Sequence, residues 1–180
     1  MVTTVRQATS TDAALLHALA MATFPLACPP STPQADIDDF LARHLSTGSF
    51  SAYLADVARI LLLAESDGHA AGYTMLIVGE PTDPEVARAI TTRPTAELSK
   101  CYVRPEHHGG GVAVTLMVAT LAAAQERGVA GVWLGVNQEN VRAARFYEKC
   151  GFVVVGTKHF RLGERVEDDF VREHVFQGAA

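Results

Sequence analysis

Residues 102–125 read YVRPEHHGGGVAVTLMVATLAAAQ, and this stretch decides the fold. An apolar strand ending at Val103 passes through a short polar turn into Gly109-Gly110-Gly111, which opens directly into a long apolar helix. Glycine lets a backbone approach a ligand closely, and the first amides of a helix have no intrahelical partner, so together they make a cradle for phosphate oxygens. Two common nucleotide motifs are excluded. The P-loop requires Gly-Lys-Ser/Thr, and the dinucleotide fingerprint requires a third glycine spaced inside the helix; neither is present here.

Working outward, Thr9-Ser10-Thr11-Asp12 supplies capping chemistry for a helix running to about Thr23, after a short strand Val2–Arg6. The four prolines between Pro25 and Pro33 are expected to break that helix into a loop. Ile37, Phe40, Leu41 and Leu45 recur at helical spacing and predict a second helix over 36–45. Strands at 60–65 and 71–78 flank Ser66-Asp67-Gly68, a hairpin signal. The polar segment 80–95 is expected to be a long loop with a short helix near 85–90. Beyond it come strand 97–103, helix 112–127 stopped by Gly128, strand 130–136, helix 140–149 stopped by Gly151, and strands 152–160 and 166–176. Helix 112–127 is apolar almost all round and is expected to be buried against the sheet rather than to lie on the surface. Antiparallel hairpins followed by strand-helix-strand units predict an α/β fold: a mixed, mostly antiparallel central sheet of about six to seven strands with helices on both faces.

The chain has 180 residues, 48% of them hydrophobic, which suits one domain spanning 1–180. Its beginning lacks the basic and apolar parts of a signal peptide, and its longest apolar run, 111–124, is too short to span a bilayer, so a cytoplasmic protein away from membranes is expected. Cys28, Cys101 and Cys150 are scattered without disulfide or metal-ligand spacing and read as free thiols. No metal is expected, since His107-His108 lacks the further ligands of a closed site. Residues 1–99 carry eleven acidic and five basic side chains, −6, against nine acidic and ten basic in 100–180, +1. An acidic N-terminal half argues against nucleic acid and suits a cationic small molecule.

The second informative segment is VWLGVNQENVRAARFYEKCGF, residues 132–152. Asn140 and Tyr147 are two helical turns apart and project from one side of the helix. Taken alone, Asn140 could be a plain helix cap and Tyr147 a core aromatic.

Together the two segments resemble the GCN5-related N-acetyltransferases. Val103, Pro105, Gly111 and Ala113 match the family's Val-x-Pro, Arg/Gln-x-x-Gly-x-Gly/Ala text, and Asn140, Ala143, Tyr147, Gly151 and Phe152 match its Asn-x-x-Ala-x-x-x-Tyr-x-x-x-Gly-Phe text. The resemblance implies acetyl-CoA as co-substrate, held by Tyr102, Val103, His108, Gly109, Gly110, Gly111, Val112 and Ala113 around the pyrophosphate and by Asn140 and Ala143 along the pantetheine arm. It implies that Tyr147 protonates the departing thiolate, that a backbone amide near Tyr102 or Val103 stabilises the oxyanion where the central strands splay, and that Glu97 is the base. The acceptor is a small-molecule primary amine, and a homodimer is admitted as the assembly. His108 stands where Arg or Gln is usual and Gly110 where Lys is common, so the loop lacks one or two fixed positive charges. ELSKCYV, WLGVNQEN and FRLGERVEDDFVRE, with Trp133, Gly135, Gly163 and Asp169, resemble bacterial spermidine/spermine acetyltransferases, although Asn137-Gln138 replaces a Trp-Glu pair. A peptide acceptor and a non-catalytic coenzyme A-binding module are the alternatives. The presence of both Asn140 and Tyr147 argues against the latter, because a binder has no use for a proton donor.

Overall fold

A computed structural model describes residues 2–178. Seven strands form a sheet in the order β1-β2-β3-β4-β5-β7-β6. The β4–β5 pair is parallel, whereas β1–β2, β5–β7 and β7–β6 are antiparallel. By contact density the chain divides into two compact units: the residues up to Met75 with Lys100–Thr120, and Leu76–Ser99 with the residues from Leu121 on.

In the first unit, β1 (Thr3–Gln7) pairs with β2 (Arg59–Ser66) from Thr3–Ser66 to Gln7–Leu62. The hairpin into β3 (His69–Val78) turns at Asp67 and Gly68, whose φ of 49° and 80° are the left-handed pair that a two-residue turn requires. Arg6 grips Asp12 with two guanidinium nitrogens at 2.8 and 2.9 Å, while Thr9 donates its backbone N–H and hydroxyl to the same carboxylate. These contacts hold the Asp12 carboxyl far below its usual range, and they fix the short 3-10 turn that leads into α1 (Ala13–Ala27).

Helix α1 runs past Pro25 to Ala27, so the expected break at that proline is wrong. Pro25 sits in the last turn, where only one backbone bond is lost, and the Thr23 hydroxyl donates to the Leu19 carbonyl at 2.7 Å just before it. Helix α2 (Gln34–His44) falls where its spacing predicts. A further helix, α3 (Thr47–Ala55), was not anticipated because TGSFSAYLA has the composition of a loop. The Ser46 hydroxyl caps it by accepting from Ser49 N–H at 3.1 Å, and Phe50 is fully buried, a side chain whose removal from water stabilises by about 2–3 kcal/mol.

In the second unit, β5 (Gly131–Asn137) lies between β4 (Thr95–Val103) and β7 (Arg165–Val175), and β6 (Val153–Leu162) follows β7. The short helix α4 (Pro84–Ala89) presents Val86 to a core of Ile90, Trp133 and Val171. It comes so close to β6 that a Cβ on Gly156 would sit 2.6 Å from that of Ala89. Glu173 of β7 is 1% exposed and accepts the backbone N–H and hydroxyl groups of both Thr91 and Thr92 at 2.7–3.0 Å. It thereby fixes the turn that feeds β4.

Candidate functional site

The glycine turn belongs to the first unit. A 3-10 turn over Pro105–His107 leads to Gly109 and Gly111, whose φ of 78° and 84° are left-handed, and α5 (Val112–Glu126) begins at the next residue. Residues 108–111 are all exposed, and a Cβ at Gly109 or Gly111 would meet no atom within 4 Å. Backbone conformation, and not crowding by neighbours, is therefore what calls for glycine at these two positions. The Thr115 N–H reaches the Gly111 carbonyl at 3.0 Å as the first helical bond, which leaves the amides just before it aimed out of the helix end. Val112 has its side chain fully buried, so its backbone alone is offered to a ligand.

His108 has a structural task that its position in the motif does not reveal. Its Nε2–H donates to the Val103 carbonyl at 2.8 Å, tying the turn to the last residue of β4. Tyr102, Val103 and the segment His108–Ala113 are thus brought together by one side chain. Tyr102 packs against Tyr73 with ring centroids 5.8 Å apart. Tyr73 is fully buried with no hydrogen-bond partner for its hydroxyl, and burial raises its pKa well above that of a free phenol, so it stays neutral. Helix α5 itself departs from expectation: it buries Leu116, Met117, Thr120 and Ala124, yet Val114 and Val118 are 55% and 64% exposed. Its apolar composition hid an ordinary two-sided helix.

The second unit holds the other residues. The paired register of β4 with β5 runs from Thr95–Gly131 to Glu97–Trp133 and stops there, although β4 continues through Ser99 within this unit and β5 continues to Asn137. Glu97 therefore stands, half-buried, at the last rung before the strands part. Asn140 caps α6 (Val141–Lys149) by accepting from the Ala143 N–H at 3.1 Å, so the plain capping role exists and joins Asn140 to Ala143. Tyr147 lies two turns along α6, its ring edge-on to Phe152 at 5.9 Å.

Sequence reasoning singled out Gly135 and Asp169 only as matching text, and the structure gives them a physical relation. Gly135 faces solvent from an inner strand, and a Cβ there would lie 3.2 Å from Asp169 Oδ2 and 3.3 Å from Lys158 Cδ. Asp169, 7% exposed, pairs across the sheet with Asn137 on one side and Lys158 on the other. Burial pushes its pKa up to about 6; Lys158 opposes the rise, and Glu167 and Asp168 add to it. A glycine inside an apolar strand is the sequence signal for such a close approach. Among the described residues no group of three or more His, Cys, Asp or Glu side chains is arranged to hold a metal, and no helix is long and apolar enough to cross a membrane.

Residues 16–152 match the model of the acetyltransferase (GNAT) family. The chain belongs to that family. An uncharacterized N-acetyltransferase of Mycobacterium tuberculosis (strain ATCC 25618 / H37Rv) is 47% identical over 161 residues, 89% of this chain and 96% of that protein. A mycothiol acetyltransferase of Streptosporangium roseum is 41% identical over 59 residues, 33% of this chain and 18% of that protein. Among solved structures, the PaiA N-acetyltransferase from Thermoplasma acidophilum in complex with coenzyme A superposes with a TM-score of 0.77 at 19% identity, covering 98% of this chain and 100% of that one. This is a GNAT fold and a GNAT N-acetyltransferase chain.

Proposed function

We propose that this protein transfers the acetyl group of acetyl-CoA to the primary amine of a small cationic molecule by direct attack of the amine on the thioester, within one catalytic domain. The observation that carries the reading is the exposed turn Gly109–Gly111, left-handed at two glycines and opening α5 with outward-facing amides. Such a turn suits a pyrophosphate without needing a lysine. The coenzyme A complex of the PaiA acetyltransferase supports the same co-substrate.

The family resemblance assigns the other roles. Tyr102, Val103, His108–Ala113, Asn140 and Ala143 bind the co-substrate, and a backbone amide at Tyr102 or Val103 donates to the thioester oxygen as it gains charge. Glu97 takes the proton of the arriving ammonium, and Tyr147 gives one to the departing sulfur, for which a phenol is a fair match in acidity. A polyamine is the favoured acceptor, supported by the motif text and by the −6 charge of residues 1–99. The test is to follow free thiol with acetyl-CoA and a panel of polyamines, amino acids, aminoglycosides and peptides. Turnover with a small amine supports the reading, turnover with peptides alone replaces the acceptor class, and binding of coenzyme A with no turnover leaves a non-catalytic module.

A further inference from the structure

The parting of β4 from β5 leaves one side of Gly135 without a strand neighbour in the second unit, while the other side is occupied by Asp169 and the stem of Lys158. A buried carboxyl normally has hydrogen-bond donors around it. None reaches Asp169 among the described residues, and Lys158 does not supply the missing partner: its ammonium lies 5.6 Å from the centroid of the Phe160 ring, and no ion pair within 4 Å joins it to Asp169. An exposed glycine in the middle of a sheet, bordered by a 7%-exposed carboxyl that no donor reaches, leaves polar capacity unused at that point of the surface.

We infer that Asp169 anchors an ammonium group of the acceptor over Gly135, which makes it a specificity-determining residue of the acetyl-transfer site. The inference rests on the proposed acetyl transfer to a cationic amine and names the residue that would recognise it. Glu97 shares the register of Trp133, two residues along β5 and one strand over from Gly135, which places the two backbone positions about 8 Å apart. One carboxylate therefore stands beside the reacting nitrogen and the other a short alkyl chain away, an arrangement for a diamine more than for a monoamine. The charged or polar groups around Asp169 are Asn137 on β5, Lys158 on β6 and Glu167 and Asp168 on β7, with Glu85 of α4 linked through His159, which lies 3.6 Å from Asp168. Glu167 is engaged by Arg165 at 3.2 Å and by Asn137 at 3.4 Å, and Asp168 is largely exposed, so neither duplicates the site over Gly135.

The experiment is calorimetric titration of the coenzyme A-saturated protein with 1,4-diaminobutane, with butylamine for comparison, at pH 5 and pH 7.5. The wild type should bind the diamine more tightly than butylamine. Its affinity should rise between the two pH values, because the Asp169 carboxyl ionises near pH 6 while the amine stays charged throughout. Asp169→Asn should weaken the diamine by ~10- to 100-fold at pH 7.5 and abolish the pH dependence, the usual worth of a charged hydrogen bond out of water. Asp168→Asn should change neither. If Asp169→Asn fails to fold, Gly135→Ala gives the second test: its methyl group occupies the same space and should cause the same loss with the carboxyl kept. Equal affinity in wild type and Asp169→Asn, or no diamine binding to the wild type, overturns the inference. Acetyl transfer to an amine with an unchanged Asp169→Asn KM would sink this inference and leave the proposed function standing. Diamine binding that Asp169→Asn weakens, without any acetyl transfer, would overturn the proposed function and leave Asp169 an ammonium anchor with no part in acetyl transfer.

Discussion

Replacing Glu173 by glutamine keeps the side chain's shape and removes its charge and one acceptor oxygen. In the wild type, Oε1 accepts from Thr91 N–H, Thr92 N–H and the Thr92 hydroxyl, and Oε2 accepts from Thr91 N–H and the Thr91 hydroxyl. With the amide oxygen at the Oε1 position, the three contacts there survive as neutral hydrogen bonds. At the Oε2 position the Thr91 hydroxyl can reverse and accept from the new NH2, but the Thr91 N–H loses its second acceptor and faces a donor. The net loss is about one charge-assisted hydrogen bond in a site closed to water, roughly 2 kcal/mol, or about 4–8 °C in Tm for a chain of this size. Burial raises the Glu173 carboxyl, but the hydrogen bonds from Thr91 and Thr92 overcome it and hold the pKa below its ordinary value. A carboxylate lowered in the folded state stabilises above its unfolded pKa of ~4.3 and loses that contribution as pH falls through the folded value. The deficit of Glu173→Gln should therefore be complete at pH 7 and close below about pH 4. Urea melts of both proteins across pH 3–7 measure this. Coincident midpoints at pH 7, or a gap that widens on acidification, would refute the reasoning.

Three further expectations concern catalysis. Tyr147→Phe should leave acetyl-CoA affinity near wild type in calorimetry while kcat falls by ~10²-fold or more, and an unchanged kcat would remove the phenol from the proton path. Gly111→Val should abolish coenzyme A binding because a β-branched residue cannot hold a φ of 84°, so the turn that presents the amides must rearrange; undiminished affinity would make the turn purely structural. Glu97→Gln should lower kcat/KM strongly near pH 7 and progressively less toward pH 9–10, where an amine of pKa ~10 increasingly arrives neutral. A profile parallel to wild type would leave Glu97 a positioning group.

Local chemistry carried most of the architecture. Asp67-Gly68 specified its turn, Gly128 and Gly151 take the left-handed φ that ends α5 and α6, and the text of 102–125 led to the loop and the fold family. The failures share a cause, which is that the deciding partner lay elsewhere in the chain or in the details of one hydrogen bond. Helix α3 forms because Ser46 caps it and Phe50 finds a core, neither visible in a Ser/Gly-rich string. Val114 and Val118 look like core residues until the packing exposes them. Asp169 reads as one more acid in VEDDF, and only the register with Asn137 and Lys158 shows that it is buried over Gly135.

The contact between His108 and Val103 separates shape from charge in the glycine turn. A carbonyl can only accept, so Nε2 must carry a hydrogen, and it does so in the neutral tautomer and in the imidazolium alike. The clasp on the end of β4 therefore takes the one ring nitrogen that a guanidinium or carboxamide in this place would have left to a ligand or to solvent. An arginine in this place would bring a permanent cation. The histidine instead commits its ring to the strand end, so the shape of the turn rests on a side chain while the polarity it shows to solvent comes from backbone N–H groups.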